Sequence, residues 1–288
     1  MRNTACNSTN VPTGAKLFNL SSLSAEKETM PELDLPEPDT RRLTRSPLEL
    51  VVCQVRHDRR LVASEGSTAL AIHEQLGDSG GQYPNIEPVT GLDLSIVMGP
   101  GAPGMQDNPT AGWRLSSTDG AWSVTLMPDN YSLETTAYTT WDEDFGPRLK
   151  ALTQAVVEHV KPTLVQRIGL RYVDRISELG LTELSAWQEY LREELLGLVM
   201  HDKLGSGVRG YQHQVLLEMA DGVMATVRHG PVELGGGAVD YQLDYDVYRQ
   251  AGRAFDVQDV IETADRFSVY SLQLFQATVK PALLEALR

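Results

Sequence analysis

Gln214-Val-Leu-Leu-Glu-Met-Ala-Asp-Gly-Val-Met-Ala-Thr-Val-Arg228 holds two short apolar segments, 214–219 and 223–228, around Asp221-Gly222. Glycine supplies a positive φ at no steric cost, so an Asp-Gly step between such segments reads as a β-hairpin turn. A matching turn, Asp119-Gly120, lies 102 residues earlier between segments 112–117 and 121–127. Two equal hairpins at that offset suggest that one structural unit is used twice.

The flanking segments fit the same plan. Residues 48–57 alternate, with Val51, Cys53 and Val55 on one side and Gln54 and Arg56 on the other, as a half-buried strand requires. Ser67 or Thr68 can cap a short helix with Leu70, Ile72 and Leu76 on its apolar side. After the first hairpin come a strand at 131–139 and a helix at 142–160 carrying Phe145, Leu149, Leu152, Val156 and Val160. The second half repeats the order. It has a strand at 165–176, a helix at 184–200 with Trp187, Leu191, Leu195 and Leu198, the hairpin, and an alternating strand at 239–248. Asp256 then caps a long helix with Asp259 at its third position, and Pro281 kinks or restarts it. The expected fold is α+β: a duplicated strand–helix–three-strand–helix unit, antiparallel sheets packed with helices, related by a pseudo-twofold axis. The expected organisation is a disordered or loosely packed leader over 1–46, a first repeat over 47–162 and a second over 163–288, the repeats forming one compact domain. The Ser/Thr/Pro-rich leader carries few periodic apolar positions, and Met30 is an alternative start.

Hydrophobic residues make up 41% of the 288-residue chain and charged residues 22%, enough apolar material for a real core. A net charge of −14 repels phosphate backbones and argues against general nucleic-acid binding. No run approaches the roughly 18 apolar residues of a membrane span, and the first 30 residues lack a basic start followed by an apolar core. A cytoplasmic protein is expected. Cys6 and Cys53 are too few for a disulfide scaffold or a zinc site, and the six histidines form no metal-ligand spacing, so no metal or cofactor is expected.

Two motifs imitate catalytic signatures. Gly77-Asp-Ser-Gly-Gly81 spells the surroundings of a serine-protease nucleophile, but only His57 and His73 precede it, too little chain for the barrel that would carry the base. Gly99-Pro-Gly-Ala-Pro-Gly104 satisfies G-x-G-x-x-G, yet Pro100, Pro103 and Pro109 prevent the helix whose N-terminus would meet a pyrophosphate. Arg228-His229-Gly230 ends a strand and reads as a solvated strand end, with a place at the rim of a site as the alternative.

The most informative chemistry lies on two strands. In Arg167-Ile-Gly-Leu-Arg-Tyr-Val-Asp-Arg175 the arginines Arg167, Arg171 and Arg175 share parity and line one face. In Val239-Asp-Tyr-Gln-Leu-Asp-Tyr-Asp-Val247 the acids Asp240, Asp244 and Asp246 share a face with Gln242, opposite Val239, Tyr241, Leu243, Tyr245 and Val247. If the strands are neighbours, these charges pair across the sheet. Alternatively, the arginines bind a phosphate or carboxylate, or the acids a cation.

Ser46-Pro-Leu-Glu-Leu-Val-Val-Cys-Gln-Val-Arg56, Gly112-Trp-Arg-Leu115, Trp122-Ser-Val-Thr-Leu126, Ser132-Leu-Glu-Thr-Thr-Ala-Tyr138, Arg167–Arg175 and Tyr241-Gln-Leu-Asp-Tyr-Asp246 together resemble a family of sporadically distributed, uncharacterised bacterial proteins. That resemblance covers most of 31–288 and implies a whole-chain domain without supplying catalytic residues. The doubled unit separately resembles, in layout alone, the small-molecule-binding domains of bacterial multidrug-responsive regulators, which bind in the cleft between halves. The expected function is a non-catalytic binding or interaction protein, a homo-oligomer with a groove between its repeats, taking a protein or small-molecule partner. Its competitors are a small-molecule sensor domain and an enzyme using Asp240, Asp244, Asp246 or Glu134 as acid or base.

Overall fold

The computed structural model describes residues 33, 35, 37–78, 83–91, 110–177, 179–233 and 238–288. The Gly99–Gly104 motif, most of the leader and the serine of Gly77–Gly81 lie outside them. The strands are β1 (Leu48–His57), β2 (Asn85–Gly91), β3 (Thr110–Ser116), β4 (Trp122–Met127), β5 (Asn130–Thr135), β6 (Leu164–Ile176), β7 (His213–Glu218), β8 (Val223–Glu233) and β9 (Val239–Ala254). The helices are α1 (Gly66–Asp78), α2 (Gly146–His159), the single turn α3 (Glu193–Leu196), α4 (Val257–Thr278) and α5 (Pro281–Leu287). The protein is α+β, with one nine-stranded antiparallel sheet in the order β2-β3-β4-β5-β1-β6-β9-β8-β7. The first strand of each half, β1 and β6, pair at the centre. Outward from β1 run β5, β4, β3 and β2; outward from β6 run β9, β8 and β7.

Alternation decides what each face holds. Val51, Cys53 and Val55 of β1, Ile168 and Leu170 of β6 and Tyr241, Leu243, Tyr245 and Val247 of β9 are fully buried, and α1, α2 and α4 cover this side. Phe145 just before α2, Leu149, Leu152 and Val156 from α2 and Val260, Ala264 and Phe267 from α4 complete the core at no exposure. Burying a side chain of this size contributes about 1.5–3 kcal/mol, so this layer dominates the favourable energy of the fold. The other face of the sheet carries no helix among the described residues.

Local chemistry sets several ends as expected. Asp221 and Gly222 both take positive φ, 57° and 69°, and close the β7–β8 hairpin. The Asp256 side chain accepts the Asp259 backbone N–H at 2.9 Å and caps α4. Helix α4 ends at Thr278, and Pro281 starts α5.

Other boundaries differ. The helix expected over 184–200 is replaced by 3-10 turns around α3, because Leu191 bridges Val279, Arg192 donates to the Thr278 carbonyl and Lys280 donates to that of Tyr190. This tertiary pairing draws backbone at 190–192 out of a helical ladder, and Gly197 turns with φ 51°. Trp187, Leu191 and Leu195 are still buried, whereas Leu198 is exposed. Helix α1 begins at Gly66, so Ser67 and Thr68 lie in its first turn rather than at its cap. Strand β2 was unforeseen; β5 stops at Thr135, and β9 continues to Ala254. The leader does not stay loose up to residue 46. Leu35 and Leu43 pack on the core, the Asp39 carboxylate accepts from Arg288 Nη2 at 2.7 Å, and the Asp39 backbone N–H donates to Gln276 Oε1 at 2.9 Å. Among the described residues, no helix is long and apolar enough to cross a membrane.

Candidate functional site

On the helix-free face, the antiparallel register of β6 and β9 sets Arg171 opposite Asp246 and Arg175 opposite Gln242. Each of these arginines reaches diagonally, two residues along β9, to a carboxylate. Arg171 donates through Nε to Asp244 Oδ1 and through Nη2 to Oδ2, both at 2.7 Å. This is the two-pronged geometry that matches a planar guanidinium to a carboxylate. Arg175 Nε donates to Asp240 Oδ2 at 2.8 Å. The six charged residues singled out in the sequence therefore meet, as three pairs, once Arg167 is included.

Arg167 is held differently. Its guanidinium folds back along its own strand over Gly169, where a Cβ would lie 2.4 Å from Nη1, and reaches both Asp246 oxygens at 3.2 Å. The Tyr248 ring lies 4.6 Å beneath its Cζ, a cation–π contact. The grip on Asp246 is loose. Burial, the largest influence on that carboxyl, pushes its pKa up despite Arg167, Arg228 and Arg171 around it.

Carboxylates and guanidiniums divide by depth. The side chains of Asp240, Asp244 and Asp246 are 2%, 4% and 6% exposed, while those of Arg167, Arg171 and Arg175 are 21–26% exposed. Acids lie beneath and cations form the rim. A general acid or base must reach the proton it transfers, and here a guanidinium covers each β9 carboxylate. Glu134 sits on the same face beside Arg114, whose Nη2 lies 3.5 Å from its Oε1.

Two further cations stand on this face outside the six residues above. Arg228, on β8 opposite Asp244, donates to it at 3.4 Å and to Gln214 at 3.2 Å. Arg56, on β1, stands directly opposite Arg167 across the central pair and makes no ion pair or side-chain hydrogen bond among the described residues. Its parity with Gln54 was legible; its neighbour was not, because pairing of β1 with β6 is a long-range fact.

The apolar face holds two unforeseen polar groups. Asp174 lies between Leu48 and Leu243, 7% exposed, without a hydrogen bond or ion pair among the described residues; burial raises its pKa to about 7. His229 is 6% exposed rather than a solvated strand end, and its Nδ1 lies 2.8 Å from the Tyr241 hydroxyl. Burial holds this imidazole down at about 4. The Tyr241 hydroxyl meets that of Tyr211 at 3.1 Å, and the neighbouring Trp187 Nε1 has no hydrogen-bond partner among the described residues. Cys53, at the centre of β1, is fully buried, which pushes its thiol up to about 12. Among the described residues, no three His, Cys, Asp or Glu side chains gather in a way that could hold a metal ion.

Comparisons of the chain with protein-family models, with curated proteins and with solved structures give no match.

Proposed function

We propose that the protein is a non-catalytic binding protein that takes an anionic ligand, a phosphate or carboxylate, on the helix-free sheet face where its halves meet. The observation that carries this reading is Arg56 facing Arg167 across β1 and β6. Like charges directly opposed on a sheet are destabilising, by a few tenths to about 1 kcal/mol. A ligand that bridges them recovers that cost. Around this pair, Arg167, Arg171 and Arg228 share two carboxylates, Asp244 and Asp246, and Arg56 adds a fourth cation, so the patch is locally cationic on a chain of net charge −14.

The same reading includes an internal duplication with a pseudo-twofold axis through the β1/β6 pair, and a bacterial, cytoplasmic homo-oligomer. What supports the duplication is that β5, β4 and β3 run outward from β1 as β9, β8 and β7 run outward from β6, and that an Asp-Gly step joins β3 to β4 and β7 to β8; β2, beyond β3, has no counterpart. The repeat boundary then falls at the patch, and a ligand there touches both halves.

The test is thermal denaturation in sodium phosphate and in sodium citrate, each against sodium chloride at matched ionic strength. The expected result is a saturable rise in Tm for the wild type that Arg56→Ala abolishes. An equal rise in chloride, or a rise that survives Arg56→Ala, would overturn the reading.

A further inference from the structure

The two edges of the sheet are unlike. Strand β2 ends one side with Glu87 and Pro88 in its middle, and proline cannot donate to a further strand. Strand β7 ends the other side as His213-Gln-Val-Leu-Leu-Glu218, with no proline, lysine or bulge to blunt it. Five of its six residues are exposed, Val215 at 44% and Leu216 at 58% although they point to opposite faces. No described strand pairs with its outer edge. Leu198 is a further exposed apolar side chain, and its neighbour Gly197 lies against the His213 ring.

We infer that β7 pairs antiparallel with β7 of a second copy, joining two sheets into one through a twofold axis at Leu216. It rests on the self-association part of the function proposed above and not on the anionic ligand.

Symmetry narrows the register. A twofold axis perpendicular to the sheet keeps each face on its own side, and directly opposed residues share a face, so paired residue numbers must have an even sum. Centring on Val215 sets Gln214 against Leu216 and His213 against Leu217, polar against apolar. Centring on Leu217 sets Leu216 against Glu218. Centring on Leu216 sets Leu216 against itself, Val215 against Leu217 and Gln214 against Glu218, so apolar meets apolar and an amide meets a carboxylate. The strand is self-complementary in that register alone. A second copy is favoured over another protein because β7 matches its own sequence, and over an open fibre because Pro88 stops the far edge from accepting β7.

The test combines mass in solution with a register-specific cross-link. By analytical ultracentrifugation the full chain is expected to be a dimer, with Leu216→Lys raising the dissociation constant at least tenfold while circular dichroism stays unchanged, since Leu216 is mostly exposed. In a Cys6→Ser background, Leu216→Cys should join two copies through a short bis-maleimide, whereas Val269→Cys on exposed α4 should not. A dimer that persists in Leu216→Lys and fails to cross-link at 216 overturns the β7 interface while leaving self-association intact. A monomer at every concentration overturns both.

Discussion

Strands β6 and β9 bury carboxylates on both faces of one sheet, under opposite conditions. On the helix-free face, Asp244 is 4% exposed and is clasped by Arg171 and approached by Arg228. On the helix-covered face, Asp174 is 7% exposed between Leu48 and Leu243 with no partner among the described residues. Depth is nearly equal, so the difference isolates what a counter-charge does. For Asp174, which has none, burial moves the pKa to about 7. The two acids should therefore respond oppositely to substitution.

The largest effect is expected at Asp244. Replacing it with Ala strands Arg171 and Arg228 at a partly buried site, and losing one partner of a buried pair costs about 3–5 kcal/mol. Arg171→Ala with Asp244→Ala should cost less than the sum of the single changes, with coupling of about 1 kcal/mol or more in urea denaturation. Additive, near-neutral changes would mean that the pair does not hold the scaffold.

Next comes Asp174. Its folded-state pKa near 7 lies above the ordinary 3.8, so between those values the folded state binds more protons than the unfolded state. Stability from this group is present below about pH 4, falls as pH rises toward 7 and is constant above. At about 1.4 kcal/mol per unit, the slope is worth roughly 2–4 kcal/mol. His229, held at about 4, tilts the same window the other way, because its unfolded form takes up a proton below about 6.5. The informative quantity is the difference between Asp174→Asn and wild type. The variant should gain on the wild type from pH 4.5 to 7.5, and parallel stability curves would show that Asp174 ionises normally.

The smallest effect is expected at Gly169. Alanine there would put a methyl 2.4 Å from Arg167 Nη1 and displace the guanidinium from Asp246 and Tyr248. Because a side chain can move aside, the loss should be only about 1 kcal/mol. In an Arg167→Ala background the same alanine should be neutral; an undiminished cost would place the strain in the backbone instead.

The parity of each strand was readable residue by residue. Arg167, Arg171 and Arg175 on one side and Tyr241, Leu243 and Tyr245 on the other are where alternation puts them, since a side-chain period of 2 is a local property. Asp174 was readable too, as an acid with the parity of Ile168, Leu170 and Tyr172. What alternation could not supply was adjacency. Arg56 meeting Arg167 depends on β1 pairing with β6, and the loss of helix at 190–192 depends on Val279 and Lys280 arriving from the far end of the chain. The docking of Leu35 and Leu43 likewise needs the C-terminal helices in place.

The central position of β1 has a consequence for how the chain is made. During synthesis β5 reaches one side of β1 soon, but the strand for its other side begins only at Leu164. At ordinary rates of elongation that is a delay on the order of 10 s. Through this interval the nascent first half presents the row Leu50, Val51, Val52, Cys53 and Val55, a β-prone run without a charge, with one unsatisfied edge. An emerging chain in that state is a target for chaperone capture, or for pairing with its neighbour on the same message. The seam that joins the finished halves is thus also the place where the unfinished protein is most easily lost.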